Sequence, residues 1–188
     1  MTKSQIMQEA EGSPLFIKWL KFILDWECEV DRKTGIILPE NMGDGAGITV
    51  AGLTARDDEF PKDGITASWV VDTYRERYWV KCYGDKLLRP LGAVLANFGV
   101  NCGVETGVTM LQLALCDYGQ KVNCDGKLGP ATLAATMNVG NTKELSLALI
   151  GKADARYKRL AAYYPERHAR NLKGWLNRDN DLREAFCV

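Results

Sequence analysis

Glu27 is the side chain whose surroundings point most directly to chemistry. Apolar residues recur at Phe16, Trp19, Leu20, Ile23 and Trp26, the three-and-four spacing of a buried helical face. Glu27 follows Ile23 by four residues and Leu20 by seven. A carboxylate therefore falls on the apolar face, in the helix's last turn. Burial disfavours its charged form, and so does the negative end of a helix. A carboxylic acid that keeps its proton can protonate a departing oxygen, as glycoside cleavage requires. The competing reading is a glutamate that marks the helix end and turns to solvent.

Further carboxylates follow closely: Glu29, Asp31, Glu40 and Asp44. They lie in Cys28 to Thr49, a stretch rich in Gly, Asp, Asn and Pro and too broken for a helix. It fits an irregular loop or short hairpin ending at Ala46-Gly47-Ile48-Thr49-Val50. Long loops within a domain are usually functional, although most of these acids must simply be solvated. Tyr78, Trp79 and Tyr83 could offer a platform to a sugar, but aromatic residues at helical spacing more often belong to a core.

The elements that must position these groups read in order. Met1 to Gly12 is expected as a flexible tail. Ser13 suits a helix cap and Pro14 the first helical position. Asp57-Asp58-Glu59 is an acidic, exposed run. Thr66 caps a helix running through Trp69, Val70, Tyr74, Tyr78 and Trp79. Leu87 to Pro90 breaks the chain, and an apolar helix follows from Leu91 to Phe98, ended by the Asn97–Gly103 punctuation. Val104, Val108, Leu111 and Leu115 share one helical face, which Gly119 ends. Asn123 to Pro130 is a compact turn. Its Asp125-Gly126 lacks the alternating acidic ligands of a calcium loop. A helix begins near Thr132, and Thr142 caps a last long helix that Pro165 ends. A basic stretch, Arg167 to Lys173, and an apolar Gly174-Trp175-Leu176 plug follow. The pattern gives five or six helices and a small β element, hence a mainly α fold.

Composition sets limits on function. The 188 residues carry 24 basic and 24 acidic side chains, for a net charge of zero, which argues against nucleic-acid binding by bulk charge. No apolar run is long enough to span a membrane. The acidic, polar start shows no secretory signal. The six cysteines form no CxxC, and the one histidine, His168, is far from ligand spacing, so no metal site is expected. Buried free thiols are the default for the cysteines, with one disulfide possible in an oxidising compartment.

The motifs in sequence resemble glycoside hydrolase family 108 with its companion C-terminal peptidoglycan-binding region. Phe16 to Glu27 is similar to the family's opening helix, and Gly47-Ile48-Thr49 to the motif that closes its loop. Tyr78-Trp79 resembles the end of the next helix. Gly99-Val100-Asn101-Cys102-Gly103 followed by Leu111-Gln112 is similar to the Ala-Val-Asn-x-Gly and Leu-Gln elements. Asn123 to Leu133 resembles the Val-Asp-Gly-x-Ile-Gly-Pro-x-Thr-Leu turn, and Gly174-Trp175-Leu176-Asn177-Arg178 the Gly-Trp-x-x-Arg ending. Two positions depart from the pattern. Cys28-Glu29 stands where the family has Gly-Gly after its glutamate, and Asp44 where it has threonine.

The resemblance implies a lysozyme-like fold of two helical lobes. After the 1–12 tail, 13–93 would be catalytic and 94–188 a peptidoglycan-binding-type lobe. It implies cleavage of the β-1,4 bond between N-acetylmuramic acid and N-acetylglucosamine, with Glu27 as general acid. Asp44 would be the second carboxylate, with Glu29 or Asp31 as second choices. Thr49, Tyr78, Trp79 and Asn101 would contact substrate. No cofactor is implied. Two alternatives stay open: a lytic transglycosylase, and a non-catalytic peptidoglycan-binding or secretion-associated protein. Without a signal peptide, a chain made in the cytoplasm and acting in the periplasm or cell wall would leave through a holin or a secretion partner.

Overall fold

The computed structural model describes residues 1–41, 48–54 and 60–188. The chain divides into two units, Met1–Arg77 and Tyr78–Val188. Among the described residues there are eight α-helices and one three-stranded antiparallel sheet.

The first unit is built on α2, Pro14–Glu27. The Ser13 hydroxyl accepts from the Phe16 N–H at 3.1 Å, as expected of a cap. Phe16, Trp19, Leu20, Ile23 and Leu24 are buried. Residues 3–9, expected within a tail, instead form α1, Lys3–Glu9. Thr2 and Gln5 make a reciprocal capping box at its start. Ile6, fully buried, anchors α1 against α2 and α3. One buried apolar residue in seven is too sparse a pattern to read as amphipathic.

The segment after α2 is tied down rather than loose. Asp31 Oδ1 accepts from the Lys33 and Thr34 N–H groups and from the Thr34 hydroxyl, at 3.1, 2.7 and 2.7 Å. That turn folds the chain back, pairing Val30 with Ile37, while Thr2 pairs with Ile36. β1 (Glu40–Asn41), β2 (Ile48–Val50) and β3 (Leu53–Thr54) then form the sheet, with Glu40 opposite Thr49 and Thr49 opposite Thr54. α3, Ala67–Tyr74, is capped by Thr66, whose hydroxyl accepts from the Trp69 N–H at 3.2 Å. A π-helical turn, Arg75–Trp79, follows.

The second unit holds α4 (Leu91–Cys102), α5 (Val104–Asp117), α6 (Pro130–Val139), α7 (Thr142–Tyr163) and α8 (Pro165–Phe186). α4 is longer than expected. Asn97 and Gly99 stay helical and buried within it, and the break comes at Gly103, whose φ is 88°. The cap of α7 is Asn141, whose side chain accepts from the Glu144 N–H at 3.1 Å. Thr142, the expected cap, instead donates to the Arg89 carbonyl at 2.6 Å.

α8 corrects the expectation that α7 is the last helix. Pro165 does end α7, but it also opens α8 at the first helical position. Its buried positions are Arg178, Asp179 and Leu182. Two charged residues on the inner face obscure the apolar stripe that would have announced the helix. Trp175 packs on Tyr157 of α7, with ring centroids 4.9 Å apart.

Candidate functional site

Glu27 is the last residue of α2 and is half-buried. Its position is fixed by a turn that sequence reading passed over. β2 and β3 are joined by Ala51-Gly52, and both residues have positive φ, 53° and 77°. That is the two-residue hairpin connection whose twist matches its strands. Ala51 is 2% exposed, and its carbonyl accepts from the Tyr74 hydroxyl at 2.7 Å. A Cβ on Gly52 would lie 2.6 Å from Glu27 Cβ and 2.7 Å from the Tyr74 hydroxyl oxygen. Backbone thus presses against the glutamate's stem where no side chain fits. Holding a non-glycine residue such as Ala51 in this conformation costs about 1–3 kcal/mol. The Tyr74 bond and burial offset that strain, so the hairpin is locked against α3 and against Glu27 together. Tyr74 is in turn packed edge-on to Trp19 at 6.2 Å. The signal available in sequence was Val50-Ala51-Gly52-Leu53, an X-Gly pair between apolar residues.

The other candidate carboxylates separate by environment. Asp44 lies outside the described residues. Asp31 is occupied by its own turn, and the Thr34 hydroxyl and N–H hold its carboxyl below the usual range. Glu29 is exposed. Glu40, named in sequence only as a loop acid, lies on β1 directly across from Thr49. Both Glu27 and Glu40 are near enough to Cys28 to raise its thiol electrostatically. Burial is the larger cause, Lys3 opposes it and Asp25 adds to it, and the sum holds Cys28 up at about 12. Cys28 is thus an inert packing thiol rather than a nucleophile.

Thr49 is 8% exposed, and its hydroxyl has no hydrogen-bond partner among the described residues. Buried hydroxyls without partners are uncommon and cost stability. Glu40, Thr49 and Thr54 form one polar row across the sheet, since directly paired residues share a face. The opposite face of β2 is different. Ile48 and Val50 line an apolar cleft of about 660 Å³ with Ile37, Pro39, Phe60 and Ile65. Glu27 is not among its walls, and a cleft so short of donors is poorly suited to sugar hydroxyls.

Tyr78, Trp79 and Asn101 belong to the second unit. Trp79 is 1% exposed and donates its indole N–H to Asp85 at 2.7 Å. A Cβ on Gly84 would lie 2.3 Å from its ring, so the ring is wedged in the core with no open face for a sugar. Tyr78 is half-buried. Asn101 donates to the Tyr157 hydroxyl at 2.6 Å and joins α4 to α7.

Gln112 accounts for two motifs at once. It is 1% exposed. Its Oε1 accepts from the Gly126 N–H at 2.9 Å. Its Nε2 donates to Asp125 Oδ1, the Lys127 carbonyl and Thr132 at 2.9, 3.0 and 3.2 Å. One buried amide therefore holds the centre of the turn, Asp125 to Lys127, and ties it to α6. The Lys127 N–H and Gln112 together hold the Asp125 carboxyl below its ordinary value. The turn is a structural device, as its sequence suggested. Of the cysteines, Cys28, Cys82 and Cys187 are buried thiols, whereas Cys116 and Cys124 are exposed with sulfurs 4.0 Å apart.

Residues 106–180 match a family model described as "Predicted Peptidoglycan domain". That span holds the Gln112 turn and most of α5 to α8, and it associates the second unit with peptidoglycan. The solved structure of Brucella abortus SagA shares the fold, with a TM-score of 0.59 at 22% identity, covering 87% of this chain and 95% of that one. The mainly α, lysozyme-like fold class expected from sequence is thereby borne out. No curated protein matches the chain significantly.

Proposed function

We propose that the chain is a peptidoglycan hydrolase of the glycoside hydrolase family 108 type, cleaving the β-1,4 bond between N-acetylmuramic acid and N-acetylglucosamine. The observation that carries this reading is the clamp on Glu27. A helix end and a strained two-residue turn, itself held by a buried tyrosine, fix the stem of one half-buried glutamate. Glycosidic cleavage needs an acid held in a fixed orientation toward the leaving oxygen. Glu27 donates that proton. Asp44 or Glu40 serves as the second carboxylate, and Thr49 offers its free hydroxyl to water or sugar. Glu40 enters because it shares the polar row with Thr49 and, like Glu27, acts on Cys28. A carboxyl separation of about 5 Å would give retention, and roughly 6.5–9.5 Å inversion. In this reading residues 13–93 supply the chemistry and 94–188 bind the wall, with Tyr78 and Asn101 as candidate contacts. Export proceeds through a holin or secretion partner.

The test is clearing of purified sacculi by wild type and Glu27→Gln, with mass analysis of the products. The expected result is new reducing ends from wild type and a loss of roughly a hundred- to ten-thousand-fold in the variant. Anhydro ends would replace hydrolysis by lytic transglycosylation. Binding without clearing by wild type would make the protein a non-catalytic wall binder, the outcome that Cys28-Glu29 in place of Gly-Gly favours.

A further inference from the structure

A groove of about 540 Å³ runs between α5 and α7 in the second unit. Thr106, Thr109 and Leu113 line it from α5, and Lys152, Arg156 and Arg159 from α7. The three cations are spaced four and three residues apart, so they form one stripe along the helix. Their pairing differs. Lys152 is held by Asp117 at 2.5 Å. Arg156 and Arg159 make no ion pair among the described residues, although Glu105 is also in the lining. Arg156 Nε is buried and has no hydrogen-bond partner among the described residues. A guanidinium donor removed from water without an acceptor is costly. Two unpaired arginines at a concave surface, with threonine hydroxyls beside them, are suited to a carboxylate that accepts two parallel hydrogen bonds.

We propose that this groove binds the carboxylates of peptidoglycan stem peptides. The proposal rests on the peptidoglycan reading and deepens it by assigning which part of the polymer is held. The lactyl carboxyl of each muramic acid is consumed in the amide to its peptide, so the glycan backbone is uncharged. The free carboxylates sit on the peptides. A site built from unpaired arginines thus recognises stems and would gain little from the glycan backbone that carries them. The groove's α7 wall and all of its α5 wall except Glu105 fall within the stretch matched to the peptidoglycan model. Met110, 4% exposed, and half-open Leu113 give the peptide's aliphatic side chains an apolar strip beside the cations.

The experiment uses the full chain and a soluble disaccharide-tetrapeptide, titrated calorimetrically against wild type, Arg156→Gln/Arg159→Gln and Arg156→Lys/Arg159→Lys. The glutamine pair is expected to lose roughly ten-fold or more in affinity, as removal of charge-assisted hydrogen bonds predicts. The lysine pair recovers part of that loss, because charge returns without the two-pronged geometry. Binding to wild type weakens as salt is raised. Sacculi whose stem carboxylates are blocked as neutral amides by carbodiimide coupling should bind wild type and the glutamine pair equally weakly. Unchanged affinity in the glutamine pair, or equal binding of amide-blocked and intact sacculi by wild type, would overturn the groove assignment while leaving wall binding in place. Equal binding of inorganic polyphosphate would overturn it in favour of a general anion site. Failure of wild type to bind intact sacculi at all would instead sink the peptidoglycan reading beneath it. Matching thermal melts of the three proteins guard against a folding artefact.

Discussion

The two units use the same backbone device for different ends. In each, a glycine at positive φ stands where a Cβ would strike a glutamate's stem. Gly52, at 77°, would place it 2.6 Å from Glu27 Cβ, and Gly126, at 73°, 2.4 Å from Glu105 Cγ. Glu27 closes its helix and is half-buried beside the buried Tyr74. Glu105 opens α5 and is exposed at the rim of a cationic groove. The first glycine fixes an acid in a partly dry setting. The second lets a turn, already held by Gln112, lie flush on a helix. Close backbone approach is thus not itself a mark of catalysis; the burial of the glutamate distinguishes the two.

The comparison breaks most sharply at the glycines themselves. Gly52→Ala is expected to cut sacculus hydrolysis roughly a hundred-fold or more, since a misplaced acid loses its geometry. Gly126→Ala should leave hydrolysis within about two-fold while costing about 1–3 kcal/mol of stability, because a strained conformation is forced on alanine. Clearing rates and urea melts of both variants check this. Gln112→Ala removes the acceptor and donors of a buried amide, so about 2–4 kcal/mol should be lost from the second unit. Hydrogen exchange should rise at Gly126 and Lys127, with the amides of the β2–β3 hairpin unchanged.

A third prediction concerns pH. Asp179 is fully buried; desolvation first, and then the neighbouring Asp154 carboxyl, push it up to about 8, while Arg183 and Arg178 oppose the shift. An acid raised in the folded state holds its proton more tightly there than when unfolded. Stability from this group therefore falls as pH rises from about 4 toward about 8. Asp179→Asn should flatten the decline across that window, as read by melting temperature at each pH, and should be the more stable protein at its upper end. The smallest effect is expected from Tyr74→Phe. Loss of the bond to the Ala51 carbonyl should cost about 1–2 kcal/mol in a urea melt, with a few-fold drop in hydrolysis.

The parts of this structure legible in sequence are those whose causes are local. α2 shows a three-and-four apolar rhythm and a Ser-Pro start, and its acid at the last turn follows from the same spacing. The Asn123–Pro130 turn declares itself by composition. What escaped reading depends on partners distant in sequence. Gly52 matters because Tyr74 and Glu27 come to it from opposite directions, 22 and 25 residues away. Glu40 gains interest only from its register with Thr49. α8 was hidden because its inner face carries Arg178 and Asp179, where Arg178 reaches Asn97 at 3.1 Å. Trp79 could be read as a sugar platform or, more often for its spacing, as core; it is a core ring, a distinction that burial decides and residue type does not.

The central claim is that Glu27 supplies the proton to the leaving oxygen. The most direct measurement compares wild type and Glu27→Gln on peptidoglycan strands and on a dinitrophenyl glycoside of the same muramyl oligosaccharide. The dinitrophenolate leaves without needing a proton. The account predicts that the variant loses roughly a hundred-fold or more on the natural strand and far less on the aryl glycoside. An equal loss on both substrates, or no loss on either, would contradict it.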